Sequence, residues 1–197
     1  FTANPKIVKQ AQPIATISYQ EAMELSHFGA KVLYPPTIQP VLRKNIPILI
    51  KNTFEPEAEG TYISNEITSQ SNPVKGISHI DNITLITLEG PGMIGVAGSS
   101  KRLFEVLSHV HINVIFITQA SSEHSICIGI LNSDAANAEQ AINKAFEIEI
   151  LQNKIEPCIV EQNLCIIALV GENMKNHQGL SGRMFSTLGK NNVNIRA

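Results

Sequence analysis

The chain repeats itself at a constant offset of 81 residues. Ile86, Leu88, Gly90, Met93, Gly98, Ser100, Arg102, Phe104, Leu107 and Asn113 recur as Ile167, Leu169, Gly171, Met174, Gly179, Ser181, Arg183, Phe185, Leu188 and Asn194. Ten identities in 34 ungapped positions far exceed the roughly two that composition alone supplies, so two copies of one folding unit are present. Any architecture for this sequence must accommodate that duplication.

The first copy reads as a complete unit. Ile83 to Leu88 is a strand, Gly90 to Gly98 a glycine-rich loop, and Ser99 to about Val110 a helix, with Leu103, Phe104, Leu107 and Val110 at 3.6-residue spacing. Asn113 to Thr118 is a second strand, Ser121-Ser122-Glu123 a turn, and Ser125 to Leu131 a third strand. Asp134 caps a helix running to about Phe146, with Ala138, Ala141, Ile142 and Ala145 on one face, and Ile155 to Val160 closes the unit as a fourth strand. The order βαββαβ is an α+β, ferredoxin-like arrangement, with two helices on one face of a four-stranded antiparallel sheet. The second copy reaches Ala197, opposite Phe116, so counterparts of residues 117 onward are expected beyond it.

Upstream of the repeats the pattern changes. Residues 1 to 17 are polar and turn-rich, without an initiator Met, and read as interior sequence. Ser18-Tyr19-Gln20-Glu21 fits a capping box opening a helix from Tyr19 to Phe28, which Gly29 can end in the left-handed conformation. Pro35 and Pro36 suit the first turn of a second helix to about Lys44, and Ile46 to Ile50 is a short buried strand. Residues 52 to 73, rich in Asn, Ser, Pro and Gly, read as a linker-like boundary.

Charge and cysteine usage narrow the function classes. Fifteen Lys and Arg against 17 Asp and Glu leave a net charge of −2, so no broad basic surface is available for a nucleic-acid backbone or an anionic membrane. No apolar run approaches the roughly 18 residues of a membrane span, and the expected location is the cytoplasm. Cys127, Cys158 and Cys165 lie in apolar, strand-like runs without CxxC spacing and are expected to be buried free thiols. The six histidines lack ligand spacing, so no metal site is expected.

Two places carry recognition chemistry. The loop Gly90-Pro91-Gly92-Met93-Ile94-Gly95-Val96-Ala97-Gly98 lies between strand and helix, where backbone amides approach an anion at the positive helix end. Ser99-Ser100-Lys101 is in the wrong order for a phosphate-binding P-loop, which leaves a zwitterionic amino acid as ligand, or glycines that only make a tight turn. Asn113 and Gln119 each offer a donor and an acceptor for a small polar ligand, or Asn113 simply makes a turn. No Ser/His/Asp set, carboxylate pair or activated Cys can be assembled, so catalytic residues are not expected within this chain.

The segments Ser18-Tyr19-Gln20-Glu21-Ala22-Met23-Glu24-Leu25, Phe28-Gly29-Ala30-Lys31-Val32-Leu33, Ile50-Lys51-Asn52-Thr53, Val74-Lys75-Gly76-Ile77-Ser78 and Ile117-Thr118-Gln119-Ala120-Ser121-Ser122-Glu123 closely resemble the aspartokinases, and most closely the threonine-sensitive enzymes fused to homoserine dehydrogenase. The resemblance implies tandem ferredoxin-like ACT domains preceded by the α/β tail of an amino acid kinase domain. Residues 1–64 would be the kinase end, 65–82 a linker and the first strand of the second ACT domain, 83–161 the first ACT domain, and 162–197 the rest of the second. In this arrangement the first ACT domain is inserted within the second, whose opening strand is Val74 to Ile80.

The resemblance also implies the partners. Effector-binding positions would be Gly92, Met93, Ile94, Gly95, Gly98, Asn113, Ile115, Ile117, Thr118 and Gln119, with L-threonine as effector. Lysine-inhibited relatives carry Asp where this chain has Ile115, and an apolar side chain there leaves a buried ammonium unpaired. Nucleotide-binding positions would be Phe1, Lys6, Lys31 and Val32, although relatives have Tyr-Thr-Thr-Asp-Pro-Arg where this chain has Phe1-Thr2-Ala3-Asn4-Pro5-Lys6. ATP would serve the complete kinase, and NADP or NAD a fused dehydrogenase, with none held by this stretch. A homodimer through the ACT sheets is expected, because pairing covers exposed edge strands. The remaining readings are a lysine-sensitive monofunctional kinase, a stand-alone amino-acid sensor, and an RNA-binding ferredoxin-like domain, which the lack of exposed stacking aromatics disfavours.

Overall fold

The computed structural model describes residues 1–27, 33–65, 72–119 and 124–197. The chain divides into two compact units, Phe1–Ile80 with Ile167–Ile195, and Asp81–Ile166 with Arg196–Ala197.

In the first unit, β1 (Thr16–Ser18) leads directly into α1 (Tyr19–His27), followed by α2 (Pro35–Arg43), β2 (Ile48–Ile50) and β3 (Thr61–Ser64). The expected capping box forms in full: the Glu21 N–H donates to Ser18 Oγ at 3.0 Å and the Ser18 N–H donates to Glu21 Oε2 at 3.0 Å. The expected termination at Phe28 and Gly29 lies outside the described residues. β3 is central in a three-stranded sheet, parallel to β1 and antiparallel to β2. It lies in a stretch whose composition reads as linker, and Ile63 in it is fully buried. Four residues of Thr-Tyr-Ile-Ser are enough for a strand once both flanks supply hydrogen bonds. Ile14, Ile17, Tyr19, Ala22, Leu25, Ile38 and Ile63 form one core with Val170.

The second unit holds β4 (Gly76–Glu89) from Asp81 onward, α3 (Ser99–His109), β5 (Phe116–Gln119), β6 (Ser125–Leu131), α4 (Ala135–Ala145), α5 (Glu147–Leu151) and β7 (Ile159–Val170) as far as Ile166. Its sheet runs β5-β6-β4-β7, the ferredoxin-like order, and β6 is antiparallel to both β4 and β5. Leu103 and Leu107 of α3, Ala138 and Ile142 of α4, and Ile86, Leu88, Ile126, Ile128 and Ile130 of the sheet share one buried core. The helical faces read from sequence are thus the faces that are buried.

Three element ends depart from expectation. The second strand starts at Phe116 rather than Asn113, because His111 takes a φ of 56° and the Ile112 N–H folds back to Leu107 O at 2.9 Å, ending α3 before a ladder can begin. Asp134 occupies the N-cap of α4 but its side chain makes no capping bond, since a 3-10 turn over Asn132–Asp134 precedes the helix. The fourth strand starts at Ile159 rather than Ile155, and ahead of both positions the chain forms an unexpected short helix, α5. Its cause is tertiary: Arg102 Nη1 donates to Glu149 Oε1 at 2.5 Å and its guanidinium lies 4.5 Å from the centre of the Phe146 ring, holding α5 against α3.

The third cysteine departs as well. Cys158 is buried and Cys127 half-buried, but Cys165 is exposed. β7 is an edge strand, and Cys165 alternates onto the same side as the exposed Asn163 and Ile167. Burial, reinforced by the Glu139 charge, pushes the Cys158 thiol up to about 11. Iodoacetamide at pH 8 is therefore expected to modify Cys165 first and Cys158 last, as read by peptide mass mapping.

The Arg102 contact sets an acid response. The hydrogen bond from Arg102 holds the Glu149 carboxyl below its ordinary value of 4.5. A carboxylate whose folded pKa is depressed contributes stability above its unfolded pKa and loses it as pH falls through the folded value. Between pH 6 and 3 the urea midpoint is expected to fall more in the natural protein than in Glu149→Gln.

Candidate functional site

The loop after β4 places the site. Gly90 is extended, with φ of 157° and ψ of 156°, and a Cβ there would collide with the Lys154 carbonyl oxygen, so the loop rests directly on the 154–155 backbone. Most of its amides are already used. The Gly90 N–H donates to His124 O, Gly92 to Lys154 O at 2.7 Å, Met93 to Gly90 O, Ile94 to Pro91 O and Val96 to Met93 O. An incoming carboxylate must look elsewhere.

It finds the start of α3. Gly98 sits at the N-cap with φ of 103°, and no side chain caps the helix. The first intrahelical bond runs from the Arg102 N–H to Gly98 O at 3.0 Å, so the amides of Ser99, Ser100 and Lys101 have no acceptor within the helix. A cavity of about 420 Å³ opens at this turn, lined by Met93, Gly95, Val96, Ala97, Gly98, Ser99, Ser100, Gln119 and Ile126. A positive helix end, the Ser99 and Ser100 hydroxyls, the Gln119 carboxamide and the apolar side chains of Met93 and Ile126 together form a setting for a small zwitterion.

The sequence-derived positions divide accordingly. Met93, Gly95, Gly98 and Gln119 line the cavity together. Gly92 and Ile94 belong to the loop but not to its lining, and Asn113 is exposed ahead of β5. Ile115 is half-buried, its N–H donating to Gly129 O at 2.8 Å, while Ile117 and Thr118 are exposed on β5. Val96 and Ala97, in the loop singled out from sequence though not among the named effector positions, also line it, and Ser99, Ser100 and Ile126 are lining residues outside those expectations. A glycine followed by a helix without a capping side chain was their available signal.

The second repeat builds the same feature. A cavity of about 360 Å³ is lined by Leu169, Met174, His177, Gly179, Leu180, Ser181, Gly182, Met184 and Phe185. Shifted by 81, Met174, His177, Gly179, Leu180 and Ser181 stand where the first cavity has Met93, Val96, Gly98, Ser99 and Ser100. Gly179 repeats the left-handed N-cap of a further helix, α6 (Leu180–Lys190), with φ of 80°, and the Arg183 N–H closes the first turn on Gly179 O at 2.9 Å.

At the other end, Phe1 and Lys6 are exposed, and the Lys6 N–H donates to Asn4 Oδ1 at 3.0 Å in a local turn. Lys31 and Val32 lie outside the described residues. Among the described residues no group of three His, Cys, Asp or Glu side chains could hold a metal ion, and no helix is long and apolar enough to cross a membrane.

Residues 1–52 match the amino acid kinase family, and residues 86–146 and 167–197 match the ACT domain. The whole chain aligns at 43% identity with the bifunctional aspartokinase/homoserine dehydrogenase of Haemophilus influenzae, spanning 24% of that protein's length. It superposes over its full length on Clostridium acetobutylicum aspartate kinase with a TM-score of 0.88 at 29% identity, covering 44% of that chain. Escherichia coli aspartokinase III in complex with lysine and aspartate matches 99% of this chain at a TM-score of 0.74 and 29% identity, with 42% of its own length covered. Along its whole length the chain therefore matches the part of aspartokinases that it aligns with, the end of an amino acid kinase domain followed by ACT-domain sequence.

Proposed function

We propose that this chain is the regulatory region of an aspartate kinase, which converts ATP and L-aspartate to 4-phospho-L-aspartate, and that L-threonine bound at the ACT repeats inhibits the kinase. The complete protein would continue into a homoserine dehydrogenase using NADP or NAD. Residues 1–64 would close the kinase domain, with Phe1, Lys6, Lys31 and Val32 toward the nucleotide. Residues 83–161 would form the first ACT domain, inserted into a second one made of the strand within 65–82 and residues 162–197. The ACT sheets would pair two copies of the protein in the cytoplasm.

The observation carrying this reading is the cavity at the uncapped start of α3. Among the described residues its lining holds amide and hydroxyl donors for a carboxylate and the Gln119 carboxamide for an ammonium or hydroxyl, but no Asp or Glu. A lysine side chain placed there would bring a second ammonium without a counter-charge, which is costly once desolvated, whereas threonine brings a hydroxyl that can be hydrogen-bonded. Half-buried, apolar Ile115 supports the same choice. Coupling between effector and active site is typically about 1–3 kcal/mol.

Steady-state assay of aspartate phosphorylation by the complete protein, with threonine, lysine and methionine added separately, tests the proposal. Inhibition by threonine alone is expected; inhibition by lysine alone would overturn it.

A further inference from the structure

The two repeats are not alike where their loops begin. Glu172 in the second stands at the position of Pro91 in the first. Both open a 3-10 turn behind an extended glycine, Gly90 or Gly171, so the backbone course is shared and only the chemistry differs. Proline has no N–H. Glu172 has one, and it donates to Glu21 Oε1 at 3.1 Å, while the Ser18 hydroxyl donates to Glu172 Oε1 at 2.9 Å.

These are the residues of the capping box. Glu21 Oε2 already accepts from the Ser18 N–H, and Ser18 Oγ from the Glu21 N–H, both at 3.0 Å. Glu172 thus completes a four-bond cluster around two buried side chains, Glu21 at 4% and Ser18 at 7% exposure. The same corner is packed tightly. Val170 is buried in the core with Tyr19, Ala22 and Leu25, the Lys75 N–H donates to Val170 O at 2.8 Å, and a Cβ on Gly171 would collide with the Pro73 carbonyl oxygen. From Glu172 the loop runs on through Met174 and His177 to Gly179, the residues that line the second cavity.

We infer that Glu172 is a positioning residue that ties the second repeat's loop to the N-terminus of α1, so that a ligand in the second cavity acts on the kinase end through the Ser18–Glu21 cap. A shift of the loop on binding either carries the cap with it or strips a buried carboxylate of one of its donors, and α1 leads in sequence to Lys31 and Val32. The first repeat, with Pro91, has no such bond to make at that place. This inference rests on the regulatory reading proposed above.

Glu172→Pro is the decisive variant in the complete kinase, because it installs the first repeat's own residue at the head of a turn of the same type and removes both bonds. The threonine concentration for half-inhibition is expected to rise at least about fivefold, the lower end of ordinary allosteric coupling, with uninhibited kcat and the calorimetric threonine Kd each within about twofold. Glu172→Gln keeps the N–H and an oxygen acceptor and should be inhibited like the natural enzyme. Unchanged inhibition of Glu172→Pro, equal losses in both variants, or a Kd rising in parallel with half-inhibition would overturn the role of Glu172 alone. If Glu172→Pro fails to fold, as judged by circular dichroism, Glu172→Ala decides, since it removes only the acceptor for Ser18; a rise in half-inhibition supports the role and none overturns it. A natural enzyme insensitive to threonine, lysine and methionine would overturn the regulatory reading and this inference together.

Discussion

Gln119→Ala is expected to raise the threonine Kd of the complete protein roughly 5- to 150-fold, the equivalent of about 1–3 kcal/mol for a hydrogen-bonding group lost from a desolvated contact. Gln119 ends β5 and is the carboxamide in the lining of the first cavity, facing a turn whose other polar groups are amides and hydroxyls. Loss of its side chain leaves the ligand's ammonium or hydroxyl without that partner. Because Gln119 is exposed in the free protein, its removal should shift stability by no more than about 0.5 kcal/mol. Calorimetric titration together with a urea melt separates the two effects: weaker binding at unchanged stability is the expected pair.

Phe146→Ala is expected to cost about 3–5 kcal/mol of stability, the range for truncating a fully buried phenylalanine. Phe146 is 1% exposed, lies between α4 and α5, and packs in the core with Leu103 and Leu107. Its ring also seats the Arg102 guanidinium, which in turn donates to Glu149 and to the Ala145 carbonyl oxygen. Arg102 is in the first turns of α3, so the cavity's helix start loosens along with the core. The urea midpoint should fall at an unchanged slope, and Phe146→Leu should lose less because most of the volume is kept.

What the sequence disclosed and withheld follows from how local each signal is. The duplication, the α3 and α4 faces and the Ser18–Glu21 capping box depend on spacing alone, and each appears in the fold as read. Asn82 and Asn163, one repeat apart, even share the left-handed backbone, with φ of 59° and 62° within β4 and β7. α5 depends on Arg102, distant in sequence, and its alternating Glu-Ile-Glu-Ile pattern gives no helical period to detect. The exposure of Cys165 depends on β7 lying at a sheet edge, a property of topology rather than of the run around it.

The candidate site was half legible for the same reason. Glycines between strand and helix lead to the loop that borders the cavity, and Gln119 is among the residues lining it. Which amides remain available depends on the Lys154 and His124 carbonyls and on carbonyls of the loop itself, which take up its other donors, and that information exists only in the folded chain.

Calorimetric titration of the complete protein with L-threonine and, separately, L-lysine tests most directly whether the turn at Gly98 is built for a small hydroxylated amino acid. Saturable heat with threonine that weakens in Gln119→Ala, and none with lysine, is the predicted result. Saturable heat with lysine and none with threonine would contradict it.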